Sequence, residues 1–366
     1  MTGGRSNPVR VNTYTSPSGI TYAESGVDLE AGDRAVQLFK PKAQKTFRPE
    51  VVGDLGGFAS LFALNTEKYR KPLLASSTDG VGTKLVIAQR MDIHDTVGID
   101  LVAMVVDDVV VCGAEPLFLQ DYIACGSVVP EKLSTIVGGI VDGCRYAGCA
   151  LTGGEIAEHG GTMPPDDYDL SATGVGIVDA DNVLGGDRIE SGDVLIAMRS
   201  SGLHSNGYSL VRHVLVDKPG FDLHDVMEDL GHQRTLGEEL LTPTQIYSPD
   251  CLAMIAEIDV HAFVHITGGG IPGNVARLLR NDVDAVIDRS TWQPQPVFGL
   301  VQRAGSVAAG EMERTFNMGI GMVAIVPADQ ARPALGLLAA RHRDAWLMGE
   351  IIAGKGQARM VGTYSK

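Results

Sequence analysis

The chain has 366 residues, enough for two domains, and its 44% hydrophobic and 20% charged residues exclude wholesale disorder. A net charge of −15 lacks the basic excess that sequence-independent nucleic-acid binding needs. No apolar run approaches the roughly 18 residues of a membrane span, and the N-terminus lacks a charged-then-apolar leader pattern. The five cysteines form no CxxC pair, which disfavours both a disulfide framework and a structural zinc site. The expectation is a soluble, non-secreted, cytoplasmic protein with reduced thiols, no membrane contact and no nucleic-acid partner.

Residues 1–20 carry Gly, Ser, Asn and Pro without periodicity and read as a flexible arm. Helical spacing follows over 28–40, then a loop with Gly53, Gly56 and Gly57. The next elements are a strand at 73–78, a helix over 96–111, a strand at 117–125, a helix over 130–147, and strands at 149–153 and 170–178. The polar, glycine-rich stretch 179–193 marks a boundary, giving units of 21–184 and 185–366. Strands and helices alternate again beyond it. The fold class expected is α/β or α+β, in two domains with mixed sheets and a cleft between them.

Phosphate loops of the GxxxxGK[ST] type, HExxH, GxSxG and kinase signatures are all absent. A GxGxxG match at Gly268, Gly270 and Gly273 is weak, because it lies in the second half and carries Pro272. The sharper signal is STDGVGTK, residues 77–84. There a strand enters a turn in which Gly80 and Gly82 free backbone amides for phosphate oxygens, Thr83 and Lys84 follow, and Asp79 can hold the accompanying Mg²⁺. In the next helix Asp100 and Asp107 share a face bordered by Asp108. Acids in such apolar surroundings either ligate metal, with Asp108 sharing an ion with Asp79, or pair with Lys or Arg. Further glycine-rich loops present Gly154 and Glu155, then His204, Ser205 and Asn206, and then His265 with Gly268, Gly269 and Gly270. Ser205 or Asn206 equally reads as a helix N-cap.

These segments resemble the phosphoribosylformylglycinamidine cyclo-ligase (aminoimidazole ribonucleotide synthetase) family. The resemblance runs from about Tyr22 to Ile352 through ESGVD, RPEVVGDLGGF, STDGVGTKL, GIDLVAMVVDDVVVCGAEPLFLQDY, GGEIAEHGG, YDLSATGVG, SSGLHSNGYSLVR, PTQIY, HITGGGIPGN and RTFNMGIGM. It implies a homodimer whose N-terminal ATP-binding domains join through their sheets into a barrel, with a C-terminal α+β domain. It also implies ATP-dependent closure of formylglycinamidine ribonucleotide to aminoimidazole ribonucleotide, through an iminophosphate, in purine synthesis. Carried onto this sequence, Asp79 and Asp108 would hold Mg²⁺, with Glu155 a weaker candidate. Lys84, Gly80, Gly82, Thr83, Gly154, Gly268, Gly269 and Gly270 would meet ATP or substrate phosphates. Lys84, His204 and Asn206 would be catalytic, Ser205 would contact substrate, His265 is a weaker candidate, and the Gly53–Gly57 loop would close over the nucleotide. The chain departs from the family pattern at Ala23, Asp54, Asp107, Ile156 and Gln245, none of which removes Asp79, Lys84, Asp108 or His204. A selenophosphate synthetase would carry a reactive Cys near its N-terminus, whereas the first here is Cys112; the retained Asp79, Lys84 and Asp108 argue for catalysis over a degenerate ATP-binding module.

Overall fold

The computed structural model describes residues 19–365 except Pro219 and His232, so the expected arm over 1–20 lies almost wholly outside the described residues. The first half runs α1 (Leu29–Ala43), β1 (Val51–Val52), β2 (Leu61–Phe62), β3 (Pro72–Gly80), α2 (Leu85–Met91), α3 (Val97–Val110), β4 (Glu115–Cys125), α4 (Pro130–Ala147), β5 (Ala150–Glu158) and β6 (Tyr168–Asp179). The second runs β7 (Asp193–Arg199), α5 (Tyr208–Val211), α6 (Leu236–Leu240), α7 (Ser248–Glu257), β8 (Ala262–His265), α8 (Gly270–Ala276), β9 (Val283–Asp288), α9 (Pro296–Gly305), α10 (Ala309–Thr315), β10 (Ile320–Pro327), α11 (Ala331–Ala340), β11 (Ala345–Ala353) and β12 (Ala358–Val361).

Two mixed sheets result. The first has order β3-β6-β4-β5, with β4 and β5 parallel and the other pairs antiparallel. The second has order β12-β9-β11-β7-β10-β8, with β12 and β9 its parallel pair. Local chemistry starts and stops the helices that cover the first sheet. Asp28 caps α1 by accepting the Ala31 N–H, and α4 begins on Pro130 and ends on left-handed Gly148. α3 and α4 cross at Gly98 and Gly139, where a methyl group at either position would strike the backbone of the facing segment.

That close crossing seats α3 against β3 and β6 on one side and against α7 and β8 of the second half on another. Every α3 residue except Ile99 and Asp108 is buried. Its two buried acids therefore bind across the junction, and α3 joins the halves. Among the described residues, the opposite face of the first sheet has no helix on it. The β1–β2 hairpin covers part of that face, stacking Phe62 on Phe118 at 5.3 Å between ring centroids. No helix among the described residues is long and apolar enough to cross a membrane.

Candidate active site

β3 ends on Asp79 and Gly80, and the chain turns through Val81 and Gly82 into α2. This turn forms one wall of a groove of about 440 Å³, with Ser171 of β6 and Met104 of α3 beneath it. Ser205, Asn206 and Thr267 of the second half form the opposing wall. The fold thus brings Asp79, Gly80, Gly82, Ser205 and Asn206 to one place from positions far apart in sequence. Ser205 is steadied by a 3.2 Å hydroxyl contact with Thr244, and Thr83 by one of 3.3 Å with Ser209.

Asp108 stands beside Asp79. Burial raises the Asp79 pKa, the Gly80 amide at 2.7 Å opposes that shift, and the neighbouring Asp108 charge adds to it. Asp108 accepts from His265 Nδ1 at 2.8 Å and from the Ser77 hydroxyl at 3.4 Å. Burial would lower the His265 pKa, but the Asp108 hydrogen bond and the charges of Asp107, Asp108 and Asp79 outweigh it, and the pKa is raised. Two carboxylates so placed, one oriented by an imidazole, are the residues here that could hold a cation. Among the described residues no group of three or more His, Cys, Asp and Glu side chains converges to hold a metal. An ion here would complete its shell with phosphate oxygens and water, as Mg²⁺ characteristically does.

Asp107 and Asp100 serve the junction. Asp107 accepts the N–H groups of Tyr247 and Ser248 at the start of α7, at 2.8 to 3.0 Å, and burial pushes its pKa up to about 7. Asp100 accepts the Thr244 N–H at 2.7 Å and its hydroxyl at 2.6 Å. His204 lies under the groove with φ 60°, its ring buried and its pKa held well below the ordinary value by burial and by the His265 and Lys84 charges. Its Nε2 accepts the Ser201 N–H at 3.2 Å, so the neutral ring carries its proton on Nδ1, which meets no acceptor among the described residues.

The fold places three sets of these residues otherwise than the sequence suggests. Lys84 does not face the groove: it is fully buried, and its ammonium donates to Asp100 at 2.8 Å, to the Thr242 carbonyl at 2.7 Å and to the His204 carbonyl at 3.2 Å. All three of its donors are used, which leaves none for a phosphate. Gly154 and Glu155 line a different cavity, of about 600 Å³, under α1. The register runs Gly80–Ser171–Tyr122–Glu155, so Glu155 stands three strands from β3, roughly 14 Å, too far to share an ion with Asp79. In the triple-glycine turn, Asn274 Nδ2 donates to the carbonyls of Thr267, Gly268 and Gly270, and Gly270 packs directly on the Glu313 carbonyl. Gly270 thus permits helix packing, while Gly268 stands beside Asn206 and Thr267, which line the groove.

Residues 64–178 match the family described as AIR synthase related protein, N-terminal domain, and residues 190–362 match its C-terminal domain. A phosphoribosylformylglycinamidine cyclo-ligase of Anaeromyxobacter sp. (strain Fw109-5) is 51% identical over 93% of this chain and 98% of its own length. One of Brevibacillus brevis is 50% identical over 91% of this chain and 96% of its own. The chain belongs to the phosphoribosylformylglycinamidine cyclo-ligase family. In fold, this cyclo-ligase-family chain is similar to Escherichia coli HypE, a hydrogenase maturation protein (TM-score 0.62, 20% identity, 90% of this chain and 95% of that one). It is likewise similar to thiamine-monophosphate kinase from Stenotrophomonas maltophilia (TM-score 0.61, 17% identity, 89% and 96%).

Sequence reasoning missed Ser171 and Thr244, polar residues that gain a role only when strands and loops from distant segments meet. It also passed over Asp121, whose signal was present: an acid in the inward phase of a strand, between Leu119 and Ile123.

Proposed function

We propose that this protein catalyses the ATP-dependent ring closure of formylglycinamidine ribonucleotide to aminoimidazole ribonucleotide in purine nucleotide synthesis, as a cytoplasmic homodimer that uses Mg²⁺. The observation that carries the reading is the Asp79–Asp108 pair beside a groove walled by Gly80, Gly82, Ser205 and Asn206. Mg²⁺ bound there would neutralise the phosphate charge that two unaided carboxylates would repel. His265 holds the Asp108 carboxylate in place, and the Gly80–Gly82 turn offers backbone to a phosphate. Ser205 and Asn206 contact the transferring group or the substrate from the facing wall.

An amide oxygen is a poor leaving group, so closure needs its activation. The γ-phosphoryl group passes to the formyl oxygen as the formamide N–H proton leaves, giving an iminophosphate. The ribose-bearing amidine nitrogen then bonds to that carbon and loses its own proton, while the C–O bond breaks and phosphate departs. Lys84 acts in this scheme as a positioning residue, holding the His204 carbonyl and hence the Ser205–Asn206 wall. The Gly53–Gly57 loop, carried between β1 and β2, closes over the nucleotide and excludes water. Units of 21–184 and 185–366 divide the labour into nucleotide binding with dimerisation and a closing wall.

The uncovered face of the first sheet supports the barrel-like dimer, since Leu74 there is 62% exposed. Five unpaired cysteines suit a reducing compartment. The test is a coupled assay with ATP, Mg²⁺ and formylglycinamidine ribonucleotide that follows aminoimidazole ribonucleotide and phosphate together. Equal yields are expected, and Asp108→Ala should reduce turnover by about a hundredfold or more. Phosphate without the imidazole would overturn the reading.

A further inference from the structure

The second cavity is built on a polar anomaly. Asp79, Ala172, Asp121 and Gly154 form one row across β3, β6, β4 and β5, and paired residues share a face of the sheet. That face is the buried one: Ala172, and Leu119 and Ile123 on either side of Asp121, are fully or almost fully buried. Asp121 therefore places a carboxyl where the strand pattern calls for an apolar side chain. Gly154 makes room for it, because a methyl group there would overlap the carboxylate oxygen. Next to it, β5 bulges: Leu119 pairs with Leu151 and Gln120 with Gly153, leaving Thr152 as the extra residue.

Both polar groups lack partners. Asp121 has no hydrogen bond or ion pair with another residue among those described, and burial pushes its pKa up to about 7. The Thr152 hydroxyl is buried without any partner, at 5% residue exposure. Both line the 600 Å³ cavity, whose remaining walls include Val36, Phe39 and Leu151. Lys40, a cation of this lining, is already held by Asp54 at 2.9 Å and by the Leu55 carbonyl at 2.8 Å. An acceptor and a hydroxyl kept unpartnered beside the apolar Val36, Phe39 and Leu151, in a lining that also carries the acids Glu155 and Glu158, form a recess for a flat group bearing N–H₂.

We infer that Asp121 and Thr152 are specificity-determining residues that bind a planar N–H₂ group of a reactant in this cavity. The inference rests on the proposed reaction, in which each reactant carries one such group: the exocyclic amine of adenine in ATP, and the amidine of formylglycinamidine ribonucleotide. Asp121 lies two strands from Asp79, roughly 10 Å away, so it recognises a part of the ligand distant from the transferring phosphate.

Isothermal titration of ATP, ITP and formylglycinamidine ribonucleotide, with steady-state kinetics, tests this on the wild type, Asp121→Asn and Thr152→Val. Asp121→Asn is expected to weaken one reactant by about tenfold or more, to leave the other within about twofold, and to change kcat far less. Its melting temperature should hold or rise, because an unpartnered carboxylate is lost. Thr152→Val should weaken the same reactant by a smaller factor. If the group is the adenine amine, the wild type prefers ATP to ITP and Asp121→Asn abolishes that preference; if it is the amidine, the ATP-to-ITP ratio is the same in both proteins. Unchanged affinity for both reactants would overturn the inference, as would a joint loss of both accompanied by a lower melting temperature. A wild type that binds neither reactant would instead sink the proposed reaction.

Discussion

Without the Lys84 ammonium, Asp100 would remain as a fully buried carboxylate whose one ion-pair partner among the described residues is gone. Breaking a buried pair from one side costs about 3–5 kcal/mol. Lys84→Met is accordingly expected to lower unfolding free energy by that order in urea titrations, with the ATP KM of the folded variant within about twofold of wild type. Adding Asp100→Asn, which keeps an acceptor for Thr244, should recover much of the loss. A large rise in ATP KM with unchanged stability would restore Lys84 to the phosphates. Its sequence context, a glycine turn followed by Thr and Lys before a helix, is shared by phosphate sites and by buried anchors. What separates the two is the position of Asp100 sixteen residues on, and that depends on how α2 and α3 pack. The nearness of Asp79 and Asp108 was legible, because an acid that ends a strand at a glycine turn and an acid that borders a buried helix face both call for a partner. The place of Glu155 was not, because it depends on strand order.

At the scale of elements, one carboxylate ties together the two ends of the hairpin that carries the glycine loop. Glu115, at the start of β4, accepts from Arg48 Nη2 at 2.7 Å, from the Tyr69 hydroxyl at 2.5 Å and from Lys68. Arg48 and Tyr69 bracket β1, β2 and the loop between them. Burial would raise the Glu115 pKa, but the hydrogen bonds from Lys68, Tyr69 and Arg48 outweigh it and lower it to about 2 from an ordinary 4.5. A depressed carboxyl contributes stability that is complete above its unfolded pKa and fades as pH falls toward its folded one. The anchor should therefore hold at neutral pH and weaken between pH 4.5 and about 2. Glu115→Gln should flatten the stability profile over that window and speed proteolysis within 48–69 at neutral pH. Equal proteolysis of variant and wild type would show that the hairpin is held otherwise. Helix and strand periods made most elements readable, α1, α3, α4 and β3 to β6 among them. α9 and α10 were missed, since Pro, Gln and Gly punctuate their segment and tertiary packing completes them.

For the whole molecule, the uneven cover of the first sheet carries the last prediction. One face is sealed by α3 and α4, while the other presents Leu74, Thr78, Thr173 and Tyr122, partly shielded by the hairpin. Leu74 is exposed in one protomer, so replacing it by Arg removes no core contact and should leave the protomer's own melting behaviour nearly unchanged. In the proposed homodimer the same change would bury an unpaired charge on each side of an interface that must exceed about 1,000 Å² to be stable. Sedimentation should give a dimer for the wild type and a monomer for Leu74→Arg at micromolar concentration. Turnover should fall with the dimer if the hairpin loop and the Asp79–Asp108 groove act on one nucleotide from different protomers. Full activity in a monomeric Leu74→Arg would confine catalysis to a single chain, and an unaltered dimer would move the interface off this face.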